Sequence, residues 1–209
     1  MTELIGLVAV AVVAWFAAGT IWNVRLGREV LRWMQGGLPV LGTRTTVRWL
    51  GSTAVEMVIS DGKAPFASAT VVVFLEPRDL PWWPLSRLRG RRDTLIVRGV
   101  LRRAPTCELE ALETGSWSAR DALPRVPPDW KVRQAEPPSG MAVRYADAAA
   151  LARAEAMQAR AERAGLMIRR LSVRRTEPNF QIHVQVPDRR QPAREFFEVV
   201  RALGELALD

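Results

Sequence analysis

Few side chains in this sequence are equipped for chemistry, and their spacing decides what they can do. The single histidine, His183, lies in Phe180-Gln-Ile-His-Val-Gln-Val186. Alternation there puts it with Gln181 and Gln185 on one strand face and Ile182, Val184 and Val186 on the other. The polar face reads as outward and solvated. The preceding strand can present Arg170, Ser172 and Arg174 on the same side, so Arg170, Arg174 and His183 are the candidate surface for an anion, an RNA or a protein partner. The single cysteine, Cys107, alternates with Leu109 and Ala111 and reads as a small buried hydrophobe. Opposed burial keeps it from activating as a Cys–His pair with His183. Glu108, Glu110 and Glu113 resemble an acidic cluster. Glu108 and Glu110 read as the outward half of an alternating strand, and nothing nearby completes a hard-cation site.

The catalytic and nucleotide-binding signatures GxxxxGK followed by Ser or Thr, GxGxxG, GxSxG, HExxH and CxxC are absent. With one His and one Cys, most metal, haem and triad chemistries lack their parts. The expectation is a protein without catalysis, cofactor or metal; Asp/Glu chemistry is the last of the alternatives.

Arginine and tryptophan carry the stronger signals. The 13 residues LPWWPLSRLRGRR (80–92) set Trp82 and Trp83 beside Arg87, Arg89, Arg91 and Arg92. Indoles at headgroup depth with guanidinium groups on phosphate suit a bilayer interface. The alternatives are a loop whose tryptophans fold back onto the sheet while its arginines are solvated, and a surface for RNA or a protein partner.

The element that gives that loop its meaning is the stretch Leu4–Trp22, which passes without a charge, Pro, Asn or Gln. As a helix it is roughly 28 Å long, close to the hydrocarbon thickness of a bilayer. Trp22 sits where an interfacial indole would, and Arg25, Arg28 and Arg32 follow at once. All 30 Lys and Arg lie at or beyond Arg25, and Glu3 is the only acid before it. The positive-inside tendency therefore predicts a single-pass cell-membrane protein, N-terminus outside and body in the cytoplasm. A cleaved signal peptide is the competing reading, but it requires a basic n-region and a shorter apolar run. Residues 25–105 hold 14 bases against 6 acids, and residues 106–209 hold 16 against 15. The excess charge belongs to the half nearest the anchor, as expected of a domain lying on an anionic inner leaflet.

The body reads as α+β. Residues 1–36 form the anchor and a juxtamembrane helical extension ending at Gly36-Gly37. Residues 37–113 read as an antiparallel β-meander with a turn at Asp61-Gly62, and residues 114–129 as a linker holding one helical turn capped by Ser118. Residues 130–209 read as a ββα-ββα two-layer subdomain. Its first hairpin turns at EPPSG (136–140), its second at Glu177-Pro178-Asn179, and Asp147 is the N-cap of its first helix. The last helix carries Phe196, Val199, Val200, Leu203 and Leu206 at helical spacing. Together these features predict a membrane protein whose cytoplasmic domain binds a protein partner or helps assemble a membrane complex. A membrane-tethered RNA- or anionic-ligand-binding module is the alternative.

Overall fold

The computed structural model describes residues 1–135 and 140–209; the expected EPPSG turn therefore lies mostly outside the described residues. Helix α1 runs unbroken from Thr2 to Gln35. No proline interrupts it, and it stops where the glycine pair predicts, the Gly36 and Gly37 N–H groups donating to the carbonyls of Trp33 and Met34. It is long and apolar enough to cross a membrane.

The two parts of α1 differ sharply. Residues 2–18 are exposed on every side. From there on, Gly19, Asn23, Gly27, Val30 and Met34 form a buried stripe at three- to four-residue spacing, laid on the folded body. The apolar run continues to Trp22, so its last turn belongs both to the free helix and to the domain.

Nine strands follow: β1 (Gly42–Trp49), β2 (Ala54–Gly62), β3 (Phe66–Phe74), β4 (Thr94–Leu101), β5 (Leu109–Glu113), β6 (Lys131–Arg133), β7 (Met141–Tyr145), β8 (Ile168–Val173) and β9 (Phe180–Gln185). Between them lie helices α2 (Trp83–Leu88), α3 (Trp117–Ala122) and α4 (Ala148–Arg163), and α5 (Ala193–Leu206) closes the chain. All strands join one antiparallel sheet in the order β1-β2-β3-β4-β9-β8-β5-β7-β6. The first four make the expected meander. β5 does not: the β8–β9 hairpin inserts between β4 and β5. The chain order from β6 to α5 is ββαββα, yet those four strands form no sheet of their own, because β5 separates β8 from β7. Alternation reports which way a strand's side chains face and is silent on its neighbour.

Residues 37–113 and 130–209 thus contribute to one sheet and to one apolar cluster. That cluster runs from Met57, Ile59 and Val71 through Leu95 and Val184 to Leu109 and Val143. α1 from Val30 onward, α4 and α5 cover this face. α4 lays Ala150, Ala154, Met157 and Ala161 close against it, and the Asp147 carboxylate accepts from the Ala150 N–H at 2.8 Å as the sequence predicts. Cys107 is buried in the same cluster. The Asp61-Gly62 turn is displaced: β2 continues to Gly62, and the chain reverses at residues 63–65, where the Phe66 N–H donates to the Lys63 carbonyl.

The opposite face of the sheet is not bare. Residues 114–129, expected as a linker, cross it, and Ser118, Ala119 and Ala122 are buried there, the two alanines against Leu112. Register sets which side chains they cover: Leu112 pairs with Arg170, Arg170 with His183, and Ser172 with both Glu110 and Gln181.

Candidate functional site

Two polar clusters and one cleft concentrate the chemistry. The first joins α1 to the β3–β4 connection. Arg78 is buried and forks onto Asp93, with Nη1 to Oδ1 at 3.0 Å and Nη2 to Oδ2 at 2.8 Å, while Nη1 also donates to Asn23 Oδ1 on α1 at 3.2 Å. Its guanidinium lies 5.6 Å from the Trp22 ring and 5.8 Å from the Trp83 ring, which meet edge-on at 5.8 Å. Buried Glu76 accepts from Trp83 Nε1 at 2.6 Å and from Arg87 Nη1 at 2.8 Å. Gly19 permits the contact: a Cβ there would stand 2.4 Å from the Arg78 carbonyl oxygen and the Asp79 Cα. Four buried side-chain atoms at this junction, Thr20 Oγ1, Asn23 Nδ2, Arg78 Nε and Asp79 Oδ1, have no hydrogen-bond partner among the described residues.

The 80–92 segment is part folded back onto the domain and part exposed. Trp83 and Arg87 fold back onto Glu76. Trp82, Leu85 and Leu88 stay outside, 60, 50 and 85 % exposed, at three-residue spacing along α2. Arg89 and Arg91 are exposed without an ion-pair partner among the described residues, whereas Arg92 donates to the carbonyls of Arg87 and Arg91 at 2.8 and 2.7 Å. Arg25, Arg28 and Arg32 are exposed on α1, away from its buried stripe.

The second cluster corrects the reading of the sheet's polar face. Glu110 is 0 % exposed, not outward. It accepts from Arg170 Nε at 2.6 Å, Ser172 Oγ at 2.8 Å and Arg174 Nη2 at 3.0 Å. His183 is 2 % exposed, with Ser118 Oγ 3.0 Å from Nδ1 and the Gln181 amide nitrogen beside Nε2. With that amide donating to Nε2, the ring proton sits on Nδ1 and is given to the Ser118 hydroxyl. Burial pushes the imidazole pKa down to about 3, and the positive charges of Arg170 and Arg98 push the same way. Arg174 also stacks on Trp130, its guanidinium 4.3 Å from the ring centroid.

The physical reason for the correction is α3, which sits over this face. Its cap is Ser116, whose hydroxyl accepts from the Ala119 N–H, and not Ser118, which points inward to His183. The structure brings Arg170, Arg174 and His183 together, but beneath a cover and bound to one another's neighbours. Glu113 pairs with Arg169, and Glu108 accepts from the Arg175 N–H, so the three acids go to three separate places. Cys107 and His183 lie on opposite faces of the sheet. Sequence reading missed Asn23, Glu76, Arg78 and Asp93. The one available signal was Asn23, the first polar amide after the apolar run.

The cleft, about 600 Å³, opens between the α2–β4 loop and the start of α3. Arg89, Arg91, Arg92, Arg120 and Arg169 line it, with Glu113 as its acid and Trp117 as its apolar wall.

The first cluster and the cleft lie at the same end of the sheet. β3 ends at Phe74 and β4 begins at Thr94, which pairs with Gln185 at the end of β9; β8 begins and β5 ends on the same edge. α1 leaves the domain there, beside Arg78 and Asp79. Exposed Leu50, Phe74, Trp82, Leu85, Leu88, Trp117 and Met167 also belong to this end. No protein-family model and no curated protein sequence matches the chain.

Proposed function

We propose that the chain is a non-catalytic, single-pass membrane protein whose cytoplasmic α+β domain is seated on the anionic inner leaflet and binds a protein partner there. One observation carries the reading: the large exposed apolar side chains outside α1 concentrate at the end of the sheet from which the free apolar helix departs. A domain that faced water at that end would gain nothing from exposing Trp82, Leu85 and Leu88, whereas indole and aliphatic groups beside arginines are stabilised at a bilayer interface. The Asn23–Arg78 contact and the buried stripe down to Met34 argue against loss of α1 as a signal peptide, since its second part is built into the fold.

The partner surface has its own support. β1 is an edge strand of eight residues paired only with β2, and from Thr43 to Trp49 it is exposed. The opposite edge, β6, has three residues. A long uncovered edge offers its backbone to an added strand. The nucleic-acid alternative loses Arg170 and Arg174, which already hold Glu110. Ser118 on α3 and His183 sealed beneath it, with an amide rather than a carboxylate on the far ring nitrogen, fit a structural role better than a catalytic one.

The leaflet reading is tested with the full-length protein in nanodiscs of anionic lipid brominated near the top of the acyl chains. The Trp82 signal, taken as wild type minus Trp82→Leu, is quenched. Emission of an unquenched, water-exposed indole there overturns the seating.

A further inference from the structure

The arginines of the cleft are not distributed as a solvated surface would place them. They converge from three parts of the chain: the loop after α2, α3 and the start of β8. Two are engaged, Arg169 with Glu113 and Arg92 with backbone carbonyls. Arg89, Arg91 and Arg120 make no ion pair among the described residues, although Asp and Glu make up 22 residues of the chain and the buried arginines are all matched. Three guanidinium groups left around one concavity repel each other until an anion enters, and their planar forks match the oxygens of phosphate.

We propose that this cleft is a binding site for the phosphomonoester headgroup of an anionic phospholipid. Three cations without an ion-pair partner among the described residues suit a group that carries close to two negative charges near neutral pH. Two features select a lipid over a soluble phosphate. The cleft opens at the end of the sheet from which α1 departs, and apolar side chains stand beside it, Trp117 in its wall and Leu85 and Leu88 exposed on the helix that precedes Arg89. A headgroup held between Arg89, Arg91 and Arg120 leaves its glycerol and acyl chains against those side chains. The proposal rests on the leaflet seating above and adds a discrete, stoichiometric site to it, where a diffuse attraction of basic residues to the surface would have none.

The test uses full-length protein in neutral detergent micelles titrated with short-chain phosphatidic acid, phosphatidylcholine of the same chain length, and glycerol 3-phosphate. Phosphatidic acid saturates one site, and phosphatidylcholine does not compete. Arg89→Gln and Arg120→Gln each weaken binding about tenfold, the loss of one charge-assisted hydrogen-bonded contact. Arg103→Gln, exposed at the other end of the sheet, leaves it unchanged. Thermal melting of the Arg89 and Arg120 variants stays at the wild-type value, because neither side chain supports the fold.

Glycerol 3-phosphate binding as tightly as the lipid makes the ligand a soluble phosphate and overturns the lipid assignment. Displacement of the lipid by a short single-stranded RNA at equal or lower concentration overturns it in favour of nucleic acid. Unchanged affinity in both variants removes the cleft as the site. If that happens while Trp82 remains quenched by brominated lipid, the headgroup site fails alone and the seating stands; an unquenched Trp82 removes the seating itself.

Discussion

Glu110 holds two arginines and a serine with its carboxylate wholly out of water, so its removal leaves Arg170 buried beside no counter-charge. Replacing Glu110 with Ala is expected to cost about 3–5 kcal/mol in denaturant unfolding, the usual penalty for stranding one half of a buried pair; a loss below 1 kcal/mol would mean the network is solvated. His183 makes a prediction with a sign. Its folded pKa, about 3, lies below the ordinary value of 6.5, so between those limits the unfolded chain binds the extra proton. Its contribution to stability is complete above pH 6.5 and is lost as pH falls toward 3, by at most about 1.4 kcal/mol per pH unit. The stability gap between wild type and His183→Gln should therefore narrow on acidification from pH 7 to pH 4. A gap constant with pH would place His183 in solvent. Neither residue's burial was legible in the sequence. Alternation put Glu110 and His183 on the polar face correctly, but the element that covers that face is six helical residues in a Pro-rich stretch with no apolar stripe to announce it. Asp147 and the α5 stripe were legible because each depends only on its own helix, and Cys107 is buried as its spacing from Leu109 and Ala111 implied, although β5 begins only at Leu109.

Among the elements, α1 is two structures in one helix. Leu4–Trp22 was readable from hydropathy and the stop at Gly36 from glycine chemistry, yet the docking of residues 19–34 was not, since Gly, Asn, Gly, Val and Met make an unremarkable stripe until Arg78 and Trp49 are set against them. The consequence is that the second part of α1 is core. Met34→Ala should lower the stability of the folded domain by about 2–5 kcal/mol, while Val10→Ala should leave the domain's melting unchanged. Equal effects of the two would show that α1 is only a tether. The β1 edge makes a separate prediction. A photo-crosslinker at Val47, used in native membranes, should give one discrete adduct, and one at Arg125 should give none; indiscriminate adducts at both positions would count against a strand-adding partner. The existence of the strands was readable from their alternation, whereas the insertion of β8–β9 beside β4 was not, because pairing is decided by contacts distant in sequence.

At the scale of the whole molecule, the apolar helix, the arginine cleft and the exposed apolar side chains form one arrangement. α1 passes down the core face from the Arg78 junction toward the start of β1, so the free part of the helix and the end of the sheet bearing Trp82, Leu88 and the arginine cleft point the same way. Nitroxide depth measurement in anionic nanodiscs tests the arrangement most directly, using full-length protein with Cys107→Ala and a single label at Leu88→Cys or Arg103→Cys, at opposite ends of the sheet. The label at 88 should be reached preferentially by dissolved oxygen, as at a bilayer interface, and the label at 103 by a water-soluble nickel chelate. Equal access of the chelate to both positions would contradict a domain seated on the membrane by the end from which its anchor leaves.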